Sequence, residues 1–335
     1  MNSTSLAQLS NFLVYGALIV LALAMAAFAI DLGVGTGRRR AAEAAARRDH
    51  QARVAATAGS ASGGVSVIER PAVDIEVDER WARIGVSLSV LAFLLLVGAV
   101  LTRGFSAGRP PWGNMYEFSV AGATAAMGVW LFLTRRRREV RELGLLVVVT
   151  VLLILGVAVV VLYTESAQLV PALKSYWLWI HVTAAIIASG IFTVGSVASM
   201  LFLVADRYER RLAAGQSGGR AAWLDSLAQR LPTADVLDRT AYQTIAFAFP
   251  LWFFAIVAGA IWAEGAWGRY WGWDPKETWA FITLVIYAAY LHARSTAGWR
   301  GRPAAIIALV GFSAFLFSYI GVNIFFFGFH SYSGV

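Results

Sequence analysis

Residues 267–279 have the sequence WGRYWGWDPKETW and lie between two long apolar stretches. This tryptophan-rich segment contains four tryptophans, two glycines, a proline and charged residues of both signs. Each neighbouring stretch is about as long as a helix that crosses a bilayer, which takes roughly 20 residues. The segment is therefore predicted to be an aromatic loop at one surface of a membrane, and the rest of the chain is interpreted outward from it.

The composition is that of a helical membrane protein. Hydrophobic residues make up 59% of the chain and charged residues only 14%, whereas soluble domains have about half and about a quarter. The apolar runs are continuous rather than alternating, which favours spanning helices over a β-barrel. The chain has no cysteine, so it forms no disulfide and carries out no thiol chemistry of its own.

Eight spans are predicted, so the expected fold is an all-α polytopic membrane helix bundle. In chain order the predicted spans are 11–30, 83–102, 117–134, 144–163, 177–204, 242–262, 278–293 and 303–327. Two units follow from this pattern. Residues 1–82 are predicted to be an N-terminal transmembrane helix with a flexible cytoplasmic linker rich in Ala, Arg, Gly and Ser. Residues 83–335 are predicted to be the main membrane domain, with the aromatic loop at 263–279.

Positive charge sets the predicted orientation. The connections 31–83, 135–143, 205–241 and 294–302 hold 23 of the 28 Lys and Arg residues. Because cytoplasmic loops carry an excess of Lys and Arg, these connections are predicted to be cytoplasmic. Both termini and the tryptophan-rich segment are then predicted to lie on the outer face. The net charge of +8 is explained by this topology and by attraction to the lipid bilayer, so no nucleic-acid partner is expected.

Three of the four histidines are candidate ligands. His181 lies about one turn into the fifth predicted span, His330 lies just beyond the last one, and His292 ends the seventh on the cytoplasmic side. A single histidine in such a position is more often an interfacial hydrogen-bonding residue. His181 and His330, however, flank the aromatic loop on the same predicted face, and paired histidines suit six-coordinate haem iron. No cysteine or carboxylate cluster accompanies them, which argues against structural zinc.

The aromatic loop has two interpretations. Tryptophan is enriched at membrane interfaces, where it anchors helices, but this accounts poorly for four rings in one loop. If the loop forms a short helix, the four-residue spacing of Trp267 and Trp271 places both rings on one edge. Gly268 and Gly272 then leave bare backbone on the neighbouring edge, where a flat apolar macrocycle could lie.

The polar residues of the loop have expected roles as well. Trp273 and Asp274 would end the segment, and Asp274 is expected to accept hydrogen bonds from backbone N–H groups. Arg269 and Lys276 are candidates for pairing with the propionates of such a macrocycle. For each of these two cations, a solvated loop charge is the alternative interpretation.

The pattern Trp-Gly-x-x-Trp-x-Trp-Asp at 267–274 resembles the tryptophan-rich (WWD) signature of the haem-handling membrane proteins of cytochrome c maturation. Within that superfamily the chain resembles the CcsA branch, also called ResC and, in some bacteria, CcsB. The resemblance covers about residues 83–335. It is supported by PWGNMYEF at 111–118, LVPALKSYWLWIHV at 169–182, YLHAR at 290–294 and FGFHSY at 327–332.

This resemblance implies a site for haem b as a substrate in transit. It implies that haem lies on the outer face over the loop residues Trp267, Trp271, Trp273 and Asp274, between His181 and His330 as axial ligands. His292 matches a further family histidine that lies within the membrane near the cytoplasmic side and helps haem across, paired with a histidine of a separate ResB-like subunit. The 14 helical steps from Thr278 to His292 span about 21 Å, so one haem cannot contact both positions.

The resemblance also implies an activity, partners and a location. With its ResB-like subunit the chain would form a cytochrome c synthase, or haem lyase, in the bacterial cytoplasmic membrane. Haem would be presented to the CXXCH motif of an exported apocytochrome c, whose thiols form thioether bonds with the haem vinyls. A thioredoxin-like reductant of those thiols is a further expected partner. No side chain of this chain is expected to act as an acid or a base.

Three alternatives are weighed against this interpretation. A CcmC-like protein, which delivers haem to a haem chaperone, would use the same loop and outer histidines. The eight spans, His292 and the stretch at 111–118 favour the synthase component. A permease for another amphipathic solute would be expected to show broken helices or inverted repeats, which the sequence lacks. A structural subunit with a crowded aromatic belt would bind no haem.

Overall fold

The computed structural model describes residues 3–58, 80–166, 175–215, 222–296 and 299–330. These ranges are helical and contain no strand, which confirms the predicted all-α fold. The helices are α1 Ser3–Ala58, α2 Arg80–Ala107, α3 Met115–Arg136, α4 Gly144–Val160, α5 Tyr176–Ala213, α6 Ala222–Ala228, α7 Ala234–Trp267, α8 Pro275–Ser295, α9 Arg302–Leu316 and α10 Val322–Phe325. A 3-10 turn, Arg138–Leu143, precedes α4, and a π-helical turn, Phe317–Gly321, joins α9 to α10.

Eight of these helices correspond to the eight predicted spans. Within the described ranges, seven segments are long and apolar enough to cross a membrane. The remaining one, α8, has 21 residues, but its Tyr, His and Arg residues make it less apolar. Most helices extend past the predicted ends; α7, for example, begins at Ala234 rather than at residue 242. Polar end turns outside the hydrocarbon layer do not contribute to an apolar pattern, so the sequence pattern marks only the apolar part of each helix.

The first helix is longer than its predicted span. It continues to Ala58, so residues 31–58, which were predicted to belong to a flexible linker, are helical. The reason is their content of Ala and Arg, which have high helix propensity and continue an existing helix readily. The rest of the predicted linker, at 59–79, lies outside the described residues, and its flexibility stays a prediction.

Helix α5 is at the centre of the bundle. Its span is the most buried of the seven, and it packs against α3, α7 and α9. Small residues allow this close packing: a Cβ atom added at Gly190 would lie 2.8 Å from the Ala125 Cβ and from the Ala126 backbone nitrogen of α3. Close backbone approach at small residues is the usual basis of helix association in membranes. Helix α8 packs against α7 and α9, so the helices on both sides of the aromatic loop are neighbours.

A buried charge cluster joins α2 to α3 at the end of the bundle that carries the aromatic loop. The wholly buried side chain of Glu117 pairs with Arg103 Nε at 3.0 Å and with Arg109 Nη1 at 2.8 Å. Its carboxylate also accepts the Gly113 N–H at 2.9 Å. The cluster therefore fixes the connection between the two helices, which includes Gly113.

Replacing Glu117 with glutamine should lower the free energy of unfolding by about 3–5 kcal/mol, because two buried guanidinium groups then lose their counter-charge. The matched control is Asp235→Asn, whose partner Arg239 and own side chain are both mostly exposed. Removing such a surface pair should change stability by less than about 1 kcal/mol. Unfolding of the purified proteins in detergent measures both effects. Equal stability of the two variants would contradict the structural role of Glu117.

Candidate functional site

His181 lies in the second turn of α5 and is held by a hydrogen bond to α7. Its Nδ1 lies 2.6 Å from the carbonyl oxygen of Ala255. A carbonyl only accepts hydrogen bonds, so Nδ1 carries the proton and donates it, and Nε2 keeps its lone pair. The imidazole also stacks on Trp262, with ring centroids 6.3 Å apart and planes 7° apart. The ring is thus fixed in one tautomer that has a nitrogen available for a metal.

His330, which follows the last helix, is held in the same way by a carboxylate. Its Nδ1 donates to Asp274 Oδ1 at 2.9 Å. The Asp274 carboxylate also accepts the N–H of Lys276 at 2.9 Å and the N–H of Phe329 at 2.7 Å. A carboxylate that orients the ring of a histidine is the usual support of a metal-ligating imidazole. The ring of His330 is therefore oriented by a fixed carboxylate.

The charge state of Asp274 follows from these contacts. Burial raises the pKa of the Asp274 carboxyl, but the hydrogen bond and charge of His330 and the N–H groups of Lys276 and Phe329 outweigh that effect. The net result is a pKa below the ordinary value. Asp274 is therefore ionised at neutral pH, as its role as acceptor from three donors requires.

Trp262 contacts both histidines. Its ring centroid lies 6.0 Å from that of His330 in addition to its stacking on His181. The ring centroid of Trp267 lies 4.8 Å from that of Trp262 and 5.0 Å from that of His330, so Trp267 belongs to the same group of rings. Trp262 was not predicted as a site residue, because a tryptophan at the end of a span is expected as an interfacial anchor. Its 3% exposure shows that it belongs to the interior instead.

These residues line a cavity with an empty volume of about 1180 Å³, its open side included. The predicted site residues in its lining are His181, His330, Trp267, Trp271 and Lys276. Lining residues that the sequence analysis did not single out include Trp112, Trp252, Trp262, Tyr319 and Asn323. The lining is mainly aromatic and aliphatic with a few polar groups, which is typical of a site for a flat apolar ligand.

The aromatic loop is not the short helix considered from its spacing. Helix α7 ends where Gly268 adopts φ +71°, a left-handed conformation that is common after a helix end and easy only for glycine. Helix α8 begins with Asp274 as its N-cap and Pro275 in its first turn. The capping residue Glu277 also accepts the N–H of Gly272 at 2.8 Å. Residues 268–274 are irregular as a result, and Trp267 and Trp271 reach the cavity from different local structures.

Four predicted site residues lie outside the cavity lining, namely Asp274, whose contacts are given above, and Trp273, Arg269 and His292. Trp273 is 67% exposed and packs against Trp271. The Arg269 guanidinium lies over the ring of Phe329, 4.5 Å from its centroid, and 3.7 Å from Glu277. His292 is exposed near the end of α8, about 21 Å along the helix from its first turn. The structure therefore brings His181 and His330 together and leaves His292 apart.

The family match and the similar proteins all point to the assembly of cytochrome c. The family described as Cytochrome C assembly protein matches residues 112–330, which begin and end at the first and last residues of the cavity lining, Trp112 and His330. The cytochrome c biogenesis protein CcsA of Microcystis aeruginosa is 37% identical over 287 residues, covering 74% of this chain and 86% of the relative. For CcsA of Synechocystis the identity is 35% over 311 residues, with 78% and 91% covered. For CcsA of Porphyra purpurea it is 36% over 273 residues, with 73% and 85% covered.

Proposed function

Since this chain belongs to the family of cytochrome c assembly proteins that includes CcsA, we propose that it acts in cytochrome c maturation by holding haem between His181 and His330. One observation carries the proposal. Each histidine is held by a hydrogen bond from its Nδ1 to a fixed acceptor, and both line one aromatic cavity. Two imidazoles oriented in this way suit the two axial positions of haem iron.

The rest of the cavity fits the same substrate. Trp267 and Trp271 supply aromatic surface for the macrocycle, and Lys276 supplies a cation for a propionate. Arg269 is a weaker candidate for that second role, because its guanidinium already contacts Phe329 and Glu277.

The reaction we propose needs no acid or base from this chain. The thiols of the apocytochrome CXXCH motif add across the two haem vinyl groups. Each addition breaks an S–H bond and the π bond of one vinyl group and forms a C–S and a C–H bond, so nothing leaves. The chain's part is to hold haem in place and to exclude water from it. The hydrogen bonds that Nδ1 donates strengthen each imidazole as a ligand. One of the two imidazoles must dissociate when the histidine of the apocytochrome binds.

We propose that the cavity lies on the outer face of the bacterial cytoplasmic membrane. Basic pairs end α3 and α5, at Arg135 and Arg136 and at Arg210 and Arg211, while the first turns of α3 and α5 contribute to the cavity. The excess of positive charge therefore lies at the opposite end of the bundle, which the positive-inside rule assigns to the cytoplasm. Apocytochrome c and a thioredoxin-like reductant of its thiols would approach from outside.

A ResB-like subunit is the proposed partner within the membrane. His292 supports this proposal, because it is exposed on the surface of the bundle and far from the cavity. An exposed ionisable residue at membrane depth is costly unless it has a role. Paired with a histidine of the partner, it would form the inner site through which haem passes.

Replacing His292 with alanine should lower the amount of haem in the cavity without changing the absorption spectrum of the haem that remains. The physical reason is that His292 would act on supply, whereas His181 and His330 hold the iron. Absorption spectra of protein co-expressed with the ResB-like subunit, normalised to protein concentration, measure both quantities. Wild-type loading in the variant would refute the relay role, and a haem-free wild type would refute the proposed function.

A further inference from the structure

Gly259 of α7 lies directly against the imidazole of His181. A Cβ atom added at this position would lie 2.8 Å from both Cε1 and Nδ1 of the ring and 3.3 Å from Cγ. Approaches below 3.0 Å are essentially never found for a real Cβ, so any residue other than glycine would displace the ring. We propose that Gly259 is a positioning residue that sets the place and orientation of the His181 ligand, an inference that rests on the proposed function.

Three positions on one face of α7 form the seat of this ring. Ala255, Gly259 and Trp262 are spaced by four and three residues, which places them on the same side of a helix. The Ala255 carbonyl fixes the ring rotation through Nδ1, and Trp262 stacks parallel to the ring. Gly259 lies between them and allows the ring to approach close enough for the 2.6 Å hydrogen bond.

A side chain at position 259 would therefore change the ligand itself. The ring would move away from α7, and the Nδ1 hydrogen bond to Ala255 would lengthen or break. Nε2 would then change direction relative to the iron, and the preference for the Nδ1-protonated tautomer would weaken. Loss of such a supporting contact typically weakens metal binding by about 10- to 100-fold.

The chain offers a matched control on the same helix. Gly265 also lies within α7, but an added Cβ there meets no atom within 4 Å. Glycine is unfavourable in a helix compared with alanine, so helix propensity favours both substitutions. Only Gly259→Ala places a methyl group against the imidazole.

The experiment compares Gly259→Ala and Gly265→Ala in protein co-expressed with the ResB-like subunit. We expect Gly259→Ala to lose haem about 10-fold or more readily, with a changed spectrum that added imidazole partly restores. Gly265→Ala should match wild type. Identical haem retention and spectra in the two variants would overturn the proposal.

A second measurement does not depend on haem. The thermal unfolding of the haem-free protein is compared for Gly259→Ala in the wild-type and His181→Ala backgrounds. We expect destabilisation only where the imidazole is present, because its removal leaves space for the methyl group. Equal destabilisation in both backgrounds, or failure of the double variant to fold, would contradict the proposed packing of Gly259 against the His181 ring. If wild type bound no haem while this cycle still showed coupling, the proposed function would fail and the packing role of Gly259 would stand.

Discussion

Replacing His181 or His330 with alanine is expected to abolish the bis-imidazole spectrum of haem in the cavity. Each variant removes one of the two nitrogens that we assign to the iron, and it leaves a space about the size of an imidazole ring. Added imidazole should therefore restore part of the six-coordinate spectrum. Absorption spectra of the purified proteins, with and without imidazole, measure both effects.

The matched control for these variants is Trp273→Phe. Trp273 belongs to the same loop, but it is largely exposed and lies outside the cavity lining, so its haem content and spectrum should equal those of wild type. Unchanged haem content and spectra in both alanine variants would refute the ligand assignment. Loss in only one of them would leave a single protein ligand.

Replacing Asp274 with asparagine is expected to weaken haem binding by about 10- to 100-fold. The carboxylate accepts hydrogen bonds from His330, Lys276 and Phe329, and an amide has only one oxygen with which to accept them. The N-cap of α8 and the supporting contact of His330 are then impaired together. The free energy of unfolding should also fall, by about 2–3 kcal/mol. Haem content and unfolding in detergent are the measurements, with Asp235→Asn as the exposed control.

The stabilising effect of Asp274 should depend on pH in a defined direction. Its pKa in the folded protein is lowered from an unfolded value of about 3.9. Its contribution is therefore fully present above that value and is lost as the pH falls through the lowered pKa. The stability difference between wild type and Asp274→Asn should persist from pH 7 to about pH 5 and shrink below about pH 4. A difference that vanished by pH 6 would contradict the role of the carboxylate.

The sequence predicted the spans, the paired histidines and the importance of the aromatic segment, because each of these depends on local pattern. It did not predict which rings line the cavity. Trp262 resembles an interfacial anchor and Trp273 belongs to the signature, yet Trp262 is buried between the two histidines and Trp273 is exposed. The burial or exposure of each ring depends on how the helices pack and on where α7 ends, at Gly268. Residue spacing alone determines neither.

The hydrogen bonds that orient His181 and His330 could not be predicted from the sequence either. His330 and Asp274 are 56 residues apart, and His181 and Ala255 are 74 residues apart. Such pairs form only after α5, α7 and α8 have packed, so no local pattern indicates them. The close approach at Gly259 could not be predicted from the sequence either, because a glycine can occur inside an apolar helix for many structural reasons.

The shared carboxylate of Asp274 also limits which residues the chain accepts at that position. The side chain must cap α8 and, at the same time, accept hydrogen bonds from the backbone N–H of Phe329 and from Nδ1 of His330. Asparagine lacks the second acceptor oxygen, and the longer side chain of glutamate would shift both oxygens away from their donors. Position 274 therefore has no conservative replacement, and any change there disturbs the start of α8, the segment after the last helix and the orientation of His330 together.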